Sequence, residues 1–161
     1  MTPQQALARL QGQCSRSEQC SGQVRRKLQR WSDAQVMKGL AGFTQGQMDE
    51  IIASLVRDKF VDDARFAGAY VRDKAKFAGW GAVKIACQLK ALGVVASVVQ
   101  QALADNQDVF NNGSLEKLLQ KKWDSLKKDL SMQQKREKVL RFAVSRGFGY
   151  GQIMDIIKNF K

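Results

Sequence analysis

One pattern of glycine and apolar residues occurs three times in this chain, and it constrains the fold more than any other feature of the sequence. Each copy has a glycine and an apolar residue, then, after four arbitrary positions, apolar residues at the i, i+3 and i+4 spacing of one helix face. The copies are Gly42-Phe43 with Met48, Ile51 and Ile52; Gly93-Val94 with Val99, Ala102 and Leu103; and Gly147-Phe148 with Ile153, Ile156 and Ile157. The pattern predicts that one helix ends at each glycine and that the next helix packs beneath it.

Helix-start signals between these copies predict an all-α fold of about nine helices. The single proline, Pro3, follows Thr2, which is the order expected for an N-cap and a first helical residue. Thr44, Ser114 and Ser131 are further N-cap candidates before apolar patterns of helical period. No segment shows the sustained alternation of a strand, so we expect no sheet.

The repeats divide the chain into three tandem three-helix modules, expected at residues 1–60, 61–110 and 111–161. Each module is too small to stand alone, so neighbouring modules are expected to share a core in an elongated body. Because stacked modules cover one another's apolar faces, we expect a monomer. In the first copy the glycine comes late, and the stretch from Trp31 to Ala41, within residues 31–43, looks like an insertion between the second and third helices.

The chain contains no histidine, which excludes Ser-His-Asp and Cys-His catalysis, histidine-ligated zinc and histidine pH switches. Its three cysteines, Cys14, Cys20 and Cys87, form no C-x-x-C pair and are too few for a disulfide scaffold. We expect three small buried or half-buried thiols in a reducing compartment. The sequence also lacks a glycine-rich phosphate loop. We therefore expect a protein that is not an enzyme, with no catalytic residues, metal or cofactor.

The sequence shows no targeting or membrane-spanning signal. Its first residues lack the basic start and apolar stretch of a signal peptide. The longest strongly apolar stretch, from Val94 to Val99, covers six residues and is too short to cross a bilayer. We expect a soluble cytoplasmic protein with no membrane partner.

Basic residues exceed acidic residues by 27 to 15, for a net charge of +12. This excess favours a polyanionic partner, meaning nucleic acid, an acidic protein surface or an anionic membrane. The excess is +4 over residues 1–61, +1 over residues 62–113 and +7 over residues 114–161. A separate cluster comprises Arg25, Arg26, Lys27 and Arg30. For these clusters, binding and simple solvation are both open interpretations.

Two adjacent carboxylates, Asp62 and Asp63, have the composition of a catalytic acid–base pair. A structural role explains them better, because an aspartate at the N-cap and another in the first turn both stabilise a helix start. We expect them to begin a helix.

Four aromatic residues near the middle of the chain could contact bases or lie in the core. Phe66 has the spacing of a core residue, whereas Tyr70, one turn later, fits the core and the surface equally well. Phe77 is a candidate for base stacking. Trp80 lies between two glycines, and packing is favoured over an exposed contact there.

Three blocks of the sequence resemble the RecX family, which consists of bacterial regulators of the RecA recombinase. The central block is Val61-Asp62-Asp63-Ala64-Arg65-Phe66-Ala67, followed by Tyr70-Val71-Arg72. The other blocks are Gly81-x-x-Lys84-Ile85-x-x-x-Leu89-x-x-Leu92-Gly93-Val94 and Arg141-Phe142-x-x-x-Arg146-Gly147-Phe148. With Ala6-Leu7 and Arg25-x-Lys27-Leu28, the likeness extends from about residue 6 to residue 160.

The resemblance implies three tandem three-helix repeats in a curved body that lies in the groove of the RecA–single-stranded-DNA filament. There it would restrain ATP hydrolysis and strand exchange by RecA, and so modulate recombination and DNA repair. The basic clusters and the resembling blocks together provide the candidate residues for partner or DNA binding: Arg25, Arg26, Arg30, Arg65, Tyr70, Arg72, Lys76, Lys84, Lys121, Lys122, Arg136, Lys138, Arg141 and Arg146.

A second hypothesis is a protein that binds nucleic acid directly and without sequence specificity. Three-helix modules resemble helix-turn-helix units in outline, and the net charge of +12 would support binding that weakens with salt. No predicted helix has the Asn, Gln and Arg pattern of a groove-reading helix, so sequence-specific binding is not expected.

Overall fold

The computed structural model describes residues 1–111 and 113–160, and within them the regular structure is helical, with no strand. The all-α prediction with repeated three-helix units is confirmed. The helices are α1 (Pro3–Cys14), α2 (Ser21–Val36), α3 (Gln45–Arg57), α4 (Asp63–Ala78), α5 (Ala82–Ala91), α6 (Ala96–Asp105), α7 (Asp108–Asn111), α8 (Ser114–Asp124), α9 (Met132–Ser145) and α10 (Tyr150–Ile157). The four-residue α7 was not predicted, because a single turn is too short to show a periodicity.

Side-chain caps begin several of these helices as predicted. The hydroxyl groups of Thr2, Thr44 and Ser131 each accept a hydrogen bond of 3.2 Å from the N–H three residues later. A glutamine at that position accepts from the cap's own N–H in return, which completes a capping box each time. The Asp62 side chain also caps the start of α4, since its Oδ1 accepts a hydrogen bond from the N–H of Arg65 at 2.9 Å.

The predicted cap at Ser114 is wrong. Helix α8 already begins at Ser114, and the N-cap position before it is Gly113, which makes no side-chain hydrogen bond. Gly113 has φ of +67°, a left-handed backbone that glycine adopts without strain. The chain therefore enters α8 through the left-handed backbone of Gly113, and no side-chain cap marks this start in the sequence.

The interpretation of the first repeat also needs correction. Helix α2 continues to Val36, so Trp31 and the five residues after it belong to α2 and do not lie between the second and third helices. The chain then turns at Gly39, where φ is +71°, and not at Gly42. Gly42 is required for a different reason, because a Cβ there would lie 2.5 Å from Oγ of Ser32. The helix ends predicted at Gly93 and Gly147 are confirmed by φ of +93° and +90°.

The chain forms two compact units. Unit 1 comprises Met1–Ala67 and Lys90–Val98, and unit 2 comprises Gly68–Leu89 and the described residues from Val99 onward. The core of unit 1 is built from α1, α2, α3 and the residues on either side of α3: Ala6, Leu10, Cys14, Val24, Leu28, Phe43, Met48, Ile51, Ile52, Leu55 and Val61. Unit 2 contains a core from α8, α9, α10 and the segment after α10: Leu115, Leu119, Trp123, Val139, Ala143, Ile153, Ile157 and Phe160. The three module boundaries expected from the sequence stay predictions.

Within unit 2, the start of α5 meets the end of α9 through main-chain atoms. The N–H of Gly81 donates to the carbonyl of Arg146 at 2.7 Å, and the N–H of Val83 donates to the carbonyl of Gly147 at 3.1 Å. A Cβ on Gly81 would lie 2.7 Å from the nitrogen of Phe148, so the approach requires glycine. We call this contact the α5–α9 joint.

Unit 1 contains a second close contact of this kind, between the first turn of α2 and the turn after α5. A Cβ on Gly22 would lie 2.6 Å from Cα of Gly93. The thiol of Cys20 also contacts this turn, donating to the carbonyl of Leu92 at 3.4 Å. In both units, the N-terminus of one helix therefore lies against a glycine turn that ends another.

Candidate partner-binding surface

The N-terminal basic cluster is largely engaged within unit 1. Nη2 of Arg25 lies 2.6 Å from Oδ1 of Asp49 in an ion pair between half-exposed side chains. Arg26 donates to the carbonyls of Ala91 and Leu92, both at 2.9 Å. These carbonyls belong to the C-terminal end of α5, so Arg26 caps that helix. Two of the predicted binding residues thus have structural contacts.

The remainder of this cluster faces a polar cleft of about 690 Å³. Nζ of Lys27 lies 2.8 Å from Oε1 of Gln13 and 2.7 Å from Oε1 of Gln19. Arg30 is exposed along the same cleft, and Glu18, which also lines it, is paired with Arg65. The Arg30 side chain is exposed and, unlike those of Arg25, Arg26 and Lys27, has no hydrogen bond or ion pair with a described residue.

The predicted residues of the central block contact neighbouring parts of their own units. Nε of Arg65 lies 2.8 Å from Oε1 of Glu18. Nη1 of Arg72 donates to Oδ1 of Asn106 at 3.0 Å, and buried Asn106 in turn donates to the carbonyl of Ala102 at 2.7 Å. Arg72 therefore helps to satisfy a buried amide.

The aromatic residues of the central segment differ in exposure. Phe66 is buried, as predicted. Tyr70 is half-buried beneath Nζ of Lys74, which is 5.4 Å from the ring centroid, and burial raises the pKa of its hydroxyl. Phe77 is 77% exposed, with Nζ of Lys76 5.3 Å from its ring centroid. Of these three rings, Phe77 is the one that solvent reaches most freely.

Lysine and arginine side chains also reinforce the α5–α9 joint. Nζ of Lys84 donates to the carbonyl of Ser145 at 3.3 Å and lies 4.5 Å from the ring centroid of Trp80. Nη1 of Arg146 donates to the carbonyl of Ala78 at 2.7 Å. Both residues were predicted to bind a partner, and the structure gives each of them a contact within unit 2.

Helices α8 and α9 carry several of the exposed cations of unit 2. Lys121, Arg136, Lys138 and Arg141 are exposed and form no ion pair with any described residue. Lys122 differs, since it is half-buried with its Nζ 5.4 Å from the ring centroid of Phe142. The C-terminal charge excess thus includes a group of accessible cations.

A smaller cleft in unit 2, which we call the α8 cleft, combines aromatic rings with lysines. Its volume is about 250 Å³, and its lining includes Trp80, Phe110, Phe148, Lys76, Lys117 and Lys121. No carboxylate occurs among its described lining residues. Lys117, Phe110 and Phe148 were not among the binding residues predicted from the sequence. The lining residues are far apart in the chain, so their spacing does not reveal the cleft.

The cysteines partly match their prediction. Cys14 and Cys20 are buried, and burial is the main cause that raises the pKa of each thiol. Cys87 is exposed, which corrects the expectation of a buried or half-buried thiol. Within the described part of the chain, no three Cys, Asp or Glu side chains are grouped as a metal site would require.

None of the described helices combines the length and apolar character needed to cross a membrane.

The fold and these surfaces define a class: a helical repeat protein with a group of accessible cations on α8 and α9. A family model described as "RecX, second three-helix domain" matches residues 62–103, and one described as "RecX, third three-helix domain" matches residues 114–157. The chain belongs to the RecX family.

Curated relatives support this assignment. The chain is 33% identical over 125 residues to the regulatory protein RecX of Chromohalobacter salexigens, which covers 76% of this chain and 79% of the relative. It is 30% identical over 136 residues to the regulatory protein RecX of Clostridium botulinum strain Eklund 17B, which covers 84% of this chain. The match spans 63% of the length of that relative.

Solved structures share the fold. The crystal structure of RecX from Lactobacillus salivarius superposes with a TM-score of 0.81 at 20% identity, covering 97% of this chain and 94% of that chain. A crystal structure of a regulatory protein RecX superposes with a TM-score of 0.79 at 19% identity, covering 98% of this chain and 71% of that chain.

Proposed function

We propose that this chain regulates RecA by binding the RecA–single-stranded-DNA filament and restraining its ATP hydrolysis and strand exchange. The observation that carries the proposal is membership of the RecX family, whose curated members here are named regulatory proteins. On this proposal the protein acts in recombination and DNA repair, in the cytoplasm and as a monomer. It acts by occupying sites on the filament and catalyses no reaction itself.

The accessible cations of α8 and α9 support a long acidic target. A filament of DNA and protein presents repeated negative charge, and unpaired surface cations bind such a target without a deep pocket. The arginines that cap helices or form ion pairs within a unit contribute less to binding, because their charges already have partners. The proposal therefore assigns binding mainly to Lys121, Arg136, Lys138 and Arg141, with Arg30 as a further contact.

The test is a RecA ATPase and strand-exchange assay on single-stranded DNA, with binding to naked DNA measured at the same salt concentration. We expect the protein to lower the ATPase rate in proportion to its occupancy of the filament. Unchanged ATP hydrolysis and strand exchange at a concentration that saturates a filament-binding assay would contradict the proposal.

Direct binding of single-stranded nucleic acid is a second candidate function. The observation that favours it is the exposed ring of Phe77 beside Lys76, because exposed aromatics next to cations provide stacking and charge in single-strand binders. If this function dominates, the protein should compete with RecA for DNA and bind naked single strands as tightly as it binds filaments.

A further inference from the structure

We infer that the α8 cleft is a site for one nucleotide of single-stranded nucleic acid, with the base against its aromatic wall and flanking phosphates on its lysines. The inference rests on the proposed function, because it takes single-stranded DNA as part of the target. It adds a defined place in unit 2 where that strand is held.

The apolar wall of the cleft comes from three separate parts of unit 2. Trp80 follows the end of α4, where Gly79 turns the chain with φ of +61° and the N–H of Trp80 donates to the carbonyl of Lys74 at 3.1 Å. Phe110 is presented by α7, and Phe148 by the turn after α9. All three rings are half-buried, so each is held by packing while part of its surface lines the cleft.

The cations stand at the same cleft. Lys117 and Lys121 are one turn apart on α8 and share a face, and Lys76 lies near the end of α4. All three are exposed and form no ion pair with a described residue. Lys74 and Lys84 add positive charge next to the Trp80 ring, with Nζ atoms 5.2 Å and 4.5 Å from its centroid. The rim is therefore complementary to a polyanion.

The size of the cleft restricts the occupant. Its volume of about 250 Å³ falls below the roughly 300–1,000 Å³ of sites for drug-sized ligands. One flat ring fits such a space. A polymer with a negative charge on each side of that ring would pair those charges with the lysines of the cleft. Single-stranded nucleic acid has this alternation of base and phosphate at every residue.

The first test compares two matched double variants for binding to a fluorescent oligothymidylate. Lys117→Gln with Lys121→Gln removes two cleft cations, and Lys127→Gln with Lys128→Gln removes two exposed cations that do not line the cleft. We expect the cleft variant to bind about tenfold more weakly than the parent and the control less than about twofold more weakly. The slope of log affinity against log salt should fall in magnitude by about 1.4 for the cleft variant, because each lysine that no longer neutralises a phosphate lowers it by about 0.7. Circular dichroism checks that both variants stay folded.

The second test locates the base. The parent protein should bind oligothymidylate at least about fivefold more tightly than an abasic strand of equal length. An abasic strand has no base to stack on the aromatic wall, so it loses the affinity that base–aromatic stacking provides. A strand containing 5-iododeoxyuridine should photocross-link to Trp80, Phe110 or Phe148. Cross-links confined to unit 1, or equal affinities for the two double variants, would overturn the inference.

Its failure is distinguishable from failure of the proposed function. If the cleft variant binds DNA like its control but no longer restrains RecA, the cleft binds a protein segment, and the inference fails while the proposed function stands. If the parent never restrains RecA but the cleft variant binds DNA more weakly than its control, the proposed function fails and the inference stands.

Discussion

At the scale of single residues, position decides what a glycine contributes. Gly147 adopts φ of +90° at the α5–α9 joint, and a Cβ there would overlap with Cβ and the nitrogen of Lys84 and lie 2.9 Å from its Cα. Gly151 lies in α10 with open space around its Cα. The first glycine is required by geometry, whereas the second only weakens a helix.

This difference predicts opposite effects of the same substitution. Gly147→Ala should lower the free energy of unfolding by about 3 kcal/mol or more, since it combines a left-handed alanine with overpacking. Gly151→Ala should leave it unchanged or raise it by about 0.5 kcal/mol, because alanine favours the helix. Urea unfolding followed by circular dichroism measures both. Equal stabilities for the two variants would show that the joint does not need its glycine.

At the scale of helices, the sequence predicted the starts that depend on local caps, and it misplaced the end of α2. A cap such as Thr44 and its glutamine partner are three residues apart, so the whole device is visible in a short stretch of sequence. The end of α2 predicted at Gly42 is wrong, because the chain leaves the helix through Gly39, whose φ is +71°. Gly42, which the repeat pattern favours, lies against Ser32 of α2 instead. Interactions between residues a few positions apart could be predicted from the sequence, whereas interactions that form only when distant segments fold together could not.

The same limit applied to the candidate site. The basic composition of the site and its C-terminal location could be predicted by counting charges along the sequence. The cap that Arg26 forms on α5 could not be predicted, because it binds the main-chain carbonyls of Ala91 and Leu92. These residues are more than sixty positions away, and no side chain marks them as acceptors. The α8 cleft was missed for a related reason, since its aromatic wall is assembled from three distant segments.

Arg26 and Arg30 both lie on α2, but only the side chain of Arg26 forms hydrogen bonds with described residues of the unit. Replacing each of them by alanine tests whether Arg26 stabilises the fold while Arg30 does not. Arg26→Ala should cost about 1 kcal/mol of stability, because it removes two charge-assisted hydrogen bonds at the end of α5. Arg30→Ala, at an exposed position, should change stability by less than about 0.5 kcal/mol. Thermal unfolding of both variants is the measurement. A larger loss of stability for Arg30→Ala would mean that the roles are assigned the wrong way round.

At the scale of the whole molecule, the net charge of +12 is distributed unevenly in both amount and accessibility. In unit 1, Arg25, Arg26 and Arg65 are held by an acid or by main-chain oxygens. On α9, Arg136, Lys138 and Arg141 are exposed and form no ion pair with a described residue. Location on the fold, and not the total charge, should therefore decide binding.

Two triple variants of equal charge test this conclusion. Each reversal changes the charge by two, so Arg136→Glu, Lys138→Glu and Arg141→Glu lower the net charge from +12 to +6. Filament binding should weaken by more than about tenfold, and what remains should depend less on salt. Arg16→Glu, Lys38→Glu and Lys90→Glu produce the same net charge at exposed positions of unit 1. This control should retain most of the binding; equally weakened binding in the two variants would mean that only total charge matters.

The α5–α9 joint has a consequence for how such a protein diversifies. Its central hydrogen bonds are made by main-chain N–H and carbonyl groups, which every residue other than proline supplies alike. Mutation can therefore replace most of the surrounding side chains without altering the connection, provided that Gly81 and Gly147 stay small. The two helices can therefore acquire new surface residues, and with them new binding specificities, while the main-chain hydrogen bonds that join them stay the same.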